Sequence, residues 1–148
     1  MPTTVLVLSG PNLAALGSRQ PEIYGSATLL DLHDAITAAG EALGLACDCR
    51  QSDDESDIVG WLHEAAANGW DVVLNPAAFT HYSYAVGDAC AHLTGCGARL
   101  VEVHLSNPAA REEFRSISVV AAHASGTIAG FGAQSYTLAL QALASPVV

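Results

Sequence analysis

Short apolar runs alternate with longer amphipathic stretches along this chain. Val5-Leu6-Val7-Leu8 is continuously apolar, as in a strand covered on both faces. Thr28 then stands as an N-cap, and Leu29, Leu32, Ile36 and Leu43 follow at near-helical spacing up to Gly44. The spacing predicts a helix over 28–43. Residues 45–51, LACDCRQ, read as a second strand. Ser52-Asp53 starts a second helix, with Ile58, Trp61, Leu62 and Ala65 on its apolar stripe and Asn68-Gly69 at its end. Residues 71–75, DVVLN, form a third strand broken at Pro76, and a third helix covers 83–93. Strand four covers 99–104, strand five 126–131, and the last helix 134–144. The stretch 105–125 is irregular, with a helical turn over 109–114.

Strands alternating with helices of this length give βαβ units, hence a parallel sheet with right-handed crossovers. Five such strands predict an α/β chain: a flavodoxin-like three-layer fold with a five-stranded parallel sheet, in a single domain over 1–148. No linker, internal repeat or low-complexity tract interrupts it. No apolar run reaches about 18 residues, so no transmembrane helix is expected. The start, MPTTVLVLSGP, has no basic region and too short an apolar run for a signal peptide. The expected location is the cytoplasm. Hydrophobic residues make up 51% and charged residues 14%, a balance that predicts apolar surface buried between subunits as well as inside one.

Charge narrows the function. The formal net charge of −10 argues against nucleic acid and anionic membranes as partners. The chain has no lysine. That excludes Schiff-base catalysis, lysine-held pyridoxal phosphate and a Walker A loop. The basic residues are Arg19, Arg50, Arg99, Arg111 and Arg115, so an anionic substrate would need these few arginines gathered at its site. Cys47, Cys49, Cys90 and Cys96 form no Cys-x-x-Cys pair. Cys47 and Cys49 share one face of a strand and read as core thiols.

Open α/β sheets put their chemistry on loops leaving the carboxyl ends of the strands. Those loops hold the polar residues that are hardest to explain structurally. Asn12, Arg19 and Tyr24 follow strand one. Asn75 and His81 follow strand three. His104, Ser106, Arg111 and Arg115 follow strand four. A free tyrosine has a pKa near 10, so about one in a thousand is ionised at neutral pH. A unit positive charge roughly 4 Å away contributes about 4 kcal/mol at an effective dielectric of about 20, enough to make a tyrosinate at Tyr24 a usable base beside Arg19. Glu102 and His104 share one face of a strand, and a carboxylate beside a histidine fixes its tautomer and favours the cation a general acid needs. Free N–H groups over Leu105-Ser106-Asn107-Pro108 suit an anion, and Arg111 and Arg115, four apart, could point from one face of the following turn. Each has a plainer reading: Tyr24 packed on its loop, Arg19 a surface charge, His104 a satisfied strand-end histidine, 111–115 a solvated turn. His81 and His104 lack a third metal ligand at a recognisable spacing. His33, His63, His92 and His123 read as structural.

Six motifs, in order, carry a specific likeness: Gly10-Pro11-Asn12-Leu13, Pro21-Glu22-Ile23-Tyr24-Gly25, Asn75-Pro76-x-Ala78-x-Thr80-His81, Glu102-Val103-His104-Leu105-Ser106-Asn107, Arg111-Glu112-Glu113-Phe114-Arg115, and Gly130-x-Gly132-x-Gln134. Together the chain resembles the type II dehydroquinases (type II 3-dehydroquinate dehydratases) over residues 4–144. The resemblance implies dehydration of 3-dehydroquinate to 3-dehydroshikimate in the shikimate pathway, without metal or cofactor, by a homo-oligomer: a dodecamer built as a tetramer of trimers. It implies that Tyr24 accepts the proton, His104 donates one, Arg19 stabilises the tyrosinate, and Asn12 helps hold a water on the enolate. Asn75, His81, Arg115 and the Leu105-Ser106 backbone would bind the substrate, and Asp88 would reach a neighbouring subunit's site. Glu102 and Arg111 would support the site or act as a lid. The chain departs from the family's usual asparagine at Ser9 and Ala14, glutamate at Gln20, glycine at Ala77, threonine at Tyr82 and arginine at Gly87, and from its His-Ser-Tyr character over 116–119. Two other readings stand beside this one: a divergent relative acting on another hydroxylated cyclohexane carboxylate or in quinate catabolism, and a non-catalytic flavodoxin-like binding module.

Overall fold

The computed structural model describes residues 2–18, 20–24 and 26–146, with the backbone alone for Tyr24. Strands β1 (Thr3–Ser9), β2 (Leu45–Gln51), β3 (Asp71–Asn75), β4 (Leu100–His104) and β5 (Gly126–Ala129) pair in parallel. Their order is β2-β1-β3-β4-β5, the flavodoxin-like arrangement. The connecting α-helices are the single turn α1 (Pro21–Tyr24), then α2 (Leu29–Ala42), α3 (Glu55–Asn68), α4 (Tyr84–Gly95) and α5 (Gln134–Ala144). No helix among the described residues is long and apolar enough to cross a membrane.

The continuous apolar strands are covered on both faces, as their patterns predict. Val5, Val7, Val73, Val101 and Val103 face α2 and α5, meeting Leu32, Ile36, Ala139, Leu140 and Leu143. Leu6, Leu8, Val72, Leu74 and Leu100 face α3 and α4, meeting Ile58, Leu62, Ala65, Cys90 and Leu93. Cys47 and Cys49 pack against the first of these layers. Burial pushes the Cys49 thiol up to about 11, so it behaves there as a small apolar side chain.

Local signals explain most boundaries. Thr28 caps α2 in a reciprocal capping box with Asp31, and Ser83 caps α4. The start expected for α3 is corrected by two residues, because Asp54 is its cap. Asp53 is drawn away instead, accepting from the Asn12 N–H at 2.9 Å and from Gln51 Nε2 at 3.0 Å. Strand β5 stops at Ala129, where Gly130 turns the chain at φ 95°. The stretch 105–125 folds into three 3-10 turns, Pro108–Ala110, Glu113–Ser116 and Ala121–His123.

This topology places the site. Ser9 and Asn75 are register partners at the ends of β1 and β3, where the order of strands reverses. Chains leaving β1 and β3 there diverge to opposite faces and open a crevice. His104 ends β4 one strand further on.

Candidate active site

Three loops meet over the carboxyl ends of β1, β3 and β4 and line one open cleft, at the edge where open α/β sheets place their ligands. Pro11, Asn12 and Leu13 come from the first loop. Asn75, Ala77, Ala78 and His81 come from the second. His104, Leu105, Ser106, Pro108, Arg111 and Arg115 come from the third.

The first two loops are locked together at their roots. The Gly10 N–H donates to the Asn75 carbonyl at 2.8 Å, and a Cβ at position 10 would lie 2.7 Å from the Pro76 carbonyl oxygen. Only glycine allows that approach. Asn12 takes a left-handed conformation, φ 70°, which asparagine tolerates, and Asp53 holds its N–H. Asn75 is 3% exposed, and its Oδ1 accepts from the Ala77 N–H at 3.1 Å. That bond accompanies a left-handed Ala77, φ 50°, at the position where the resemblance expects glycine. Behind Asn75, Tyr136 is fully buried with its hydroxyl 3.0 Å from Ser9 Oγ. Burial pushes this phenol up to about 12, against hydrogen bonds from Ser9 and Asn75, so it stays neutral and serves as a polar floor.

The two histidines of the cleft are each held at one nitrogen. His81 Nδ1 lies 2.7 Å from the Ile117 carbonyl oxygen. A carbonyl only accepts, so Nδ1 is the protonated nitrogen and Nε2 is left for other partners. His104 Nε2 lies 2.5 Å from Glu102 Oε2, which leaves Nδ1 as its other proton site. Glu102 is 1% exposed on the middle of β4 and does not line the cleft. It stands behind His104, as two residues of one strand face must.

Arg111 and Arg115 both line the cleft, though not from one helical face as expected, since separate 3-10 turns carry the segment. Arg111 Nη1 donates to Ser106 Oγ at 3.2 Å. Arg115 Nε lies 3.2 Å from Glu112 Oε1, and its guanidinium stacks 4.6 Å over the Phe114 ring. Arg111 is farther from the same carboxylate, at 3.9 Å. The Arg115 guanidinium beside it holds the Glu112 carboxyl below its usual range. Both guanidiniums thus lie beside the exposed Glu112 carboxylate at this wall of the cleft. The arginines are not all gathered here, however. Arg50 is bound to Asp48 and Glu64 and stacks on Trp61. Arg99 is bound to Asp71.

Of the residues singled out from sequence, Asn12, Asn75, His81, His104, Leu105, Ser106, Arg111 and Arg115 therefore share one cleft, with Glu102 behind it. Asp88 is exposed on α4 and does not line the cleft of its own chain. Arg19 and the Tyr24 side chain lie outside the described residues. Ser118 was not singled out: its hydroxyl contacts both oxygens of Glu102, at 3.0 and 3.2 Å. No periodicity marks such a contact, although it lies in the stretch where the chain departs from the family's pattern.

Fold and cleft define a flavodoxin-like domain with a polar, cationic site at its topological switch point. The family model described as dehydroquinase class II matches residues 3–144. A 3-dehydroquinate dehydratase of Salinispora tropica is 57% identical over 95% of this chain and 96% of its own. One of Halalkalibacterium halodurans is 51% identical over 95% and 94%. The crystal structure of the type II dehydroquinase from Propionibacterium acnes superposes with a TM-score of 0.95 at 50% identity, covering 99% of both chains. This chain belongs to the class II dehydroquinase family.

Proposed function

We propose that this chain is a hydro-lyase that converts 3-dehydroquinate to 3-dehydroshikimate. The observation that carries the reading is the buried Glu102–His104 pair opening onto a cleft with Asn75, His81, Arg111 and Arg115, in a member of this family. The reaction removes a proton α to a ketone and expels a hydroxyl group one carbon further on.

Tyr24, as tyrosinate, takes the α-proton, with Arg19 favouring the ionised phenol. The electron pair moves into the ketone and forms an enolate, whose oxygen faces a water held by Asn12. The enolate then collapses, the new carbon–carbon double bond forms, and the C–O bond to the hydroxyl breaks. His104 gives that oxygen a proton and it leaves as water. With Nε2 committed to Glu102, Nδ1 delivers the proton. Asn75, His81, Arg115 and the Leu105-Ser106 backbone hold the carboxylate and hydroxyls, and Arg111 supports them through Ser106. A carboxylate substrate accounts for guanidiniums at the cleft of so acidic a chain. The working form is a homo-oligomer, a dodecamer made of four trimers, in which Asp88 completes a neighbour's site.

The test is absorbance of the conjugated enone formed from 3-dehydroquinate. The purified chain should form it at once, and pre-treatment with chelator should leave the rate unchanged. No enone would refute the reading, and loss of rate to chelator would refute the mechanism.

A further inference from the structure

We propose that Ser118 is a positioning residue for this reaction: its hydroxyl fixes the Glu102 carboxylate and, through it, the imidazole of His104. The inference rests on the dehydration reading above. Glu102 is 1% exposed, and a carboxylate so buried must be given donors. His104 Nε2 supplies one, at 2.5 Å from Oε2. Ser118 supplies another. Its Oγ lies 3.0 Å from Oε1 and 3.2 Å from Oε2, so it bridges the two oxygens and opposes rotation of the carboxylate.

The direction of that bond is set by Ser118's other partners. Its Oγ accepts from the Val120 N–H at 3.2 Å and from the Ala121 N–H at 3.0 Å. Both acceptor positions are then taken, and the single hydroxyl proton is left for Glu102. The segment is itself fixed. The Val119 N–H donates to the Thr80 carbonyl at 2.8 Å, and the Ile117 carbonyl accepts from His81 Nδ1 at 2.7 Å. Three successive residues thus brace both histidines of the cleft. A group held this way keeps its reactive nitrogen aimed without rearranging during the reaction.

The plain alternative is that Ser118 only holds the Val120 and Ala121 N–H groups ahead of the 3-10 turn Ala121–His123. The two roles separate in steady-state kinetics on 3-dehydroquinate. Ser118→Ala should lower kcat roughly tenfold to a hundredfold, the scale of a small misplacement of a reacting group, while KM stays within about twofold. Ser118→Thr, which keeps the hydroxyl, should recover kcat to within about threefold of wild type. In a Glu102→Gln background Ser118→Ala should cost at most about threefold more, because the hydroxyl acts through that carboxylate. If circular dichroism shows that the alanine variant does not fold, Ser118→Cys, of similar shape but a weak donor, replaces it with the same split expected. Wild-type kcat in the folded variant, or an equal loss in both backgrounds, overturns the inference and leaves the dehydration reading standing. A wild-type chain that forms no enone overturns the reading itself.

Discussion

A tyrosine becomes a base at neutral pH only with help, and Arg19 is the candidate that the sequence places five residues away. Tyr24→Phe removes one oxygen and keeps the ring. It should lower kcat by at least about a thousandfold with the fold intact, the upper scale for general acid–base groups. Arg19→Ala should also lower kcat, but part of the loss should return at high pH, where the phenol ionises unaided. Tyr24→Phe has nothing left to ionise and should not recover. Near-native kcat in both variants, measured across a pH series, would make this loop structural. A dead Tyr24→Phe with a flat Arg19→Ala profile would put the arginine on the substrate instead. At this scale the cleft residues were readable from the chain because each is a polar group at a strand end with no obvious structural use. Ser118 was not readable. Its importance arises from a contact across 16 residues of chain, and one serine in an irregular stretch looks like any other.

The same limit appears among the elements. β2, β3 and α5 have the bounds that their patterns predict, because Gly44, Gly69, Pro76 and the apolar spacing punctuate them. The stretch 105–125, expected to be irregular with one helical turn over 109–114, instead folds into three short turns, because contacts with other elements and not periodicity hold them. Its link to α4 shows why. A Cβ at Gly87 would lie 2.7 Å from the Val119 carbonyl oxygen. With the backbone so placed, the family's usual arginine at 87 has no room, so the departures at 87 and over 116–119 belong together. Alanine for glycine inside a helix ordinarily stabilises by about 0.5–1 kcal/mol. Gly87→Ala should do the opposite and cost about 1–3 kcal/mol, the scale of overpacking. It should also raise KM and lower kcat together, because Ile117 and Ser118 brace His81 and Glu102. Chemical denaturation and steady-state kinetics on one variant check both, and a stabilised, fully active Gly87→Ala would show the segment to be yielding.

Across the whole molecule, charge and exposure pull in different directions. Each copy carries a formal charge of −10, so copies repel. Yet Leu30, Tyr84, Ile117 and Phe131 are each more than 60% exposed, and Tyr82 and Phe114 more than half. In the proposed assembly these apolar side chains would drive association against that repulsion, and added salt should favour it by screening. Light scattering should find an assembly larger than a trimer that persists or grows as salt is raised. An active monomer would overturn the proposed assembly. Arg99, just ahead of β4, donates to the carbonyls of Leu143 and Ser145 at the end of α5. Thr3 begins β1 at the same edge of the parallel sheet, with its N–H on the Gly44 carbonyl. Both ends of the described chain therefore leave from the amino edge, and the cleft opens at the carboxyl edge. A tether at either end would therefore leave a chain on the side opposite that chain's own cleft and would not cross its mouth.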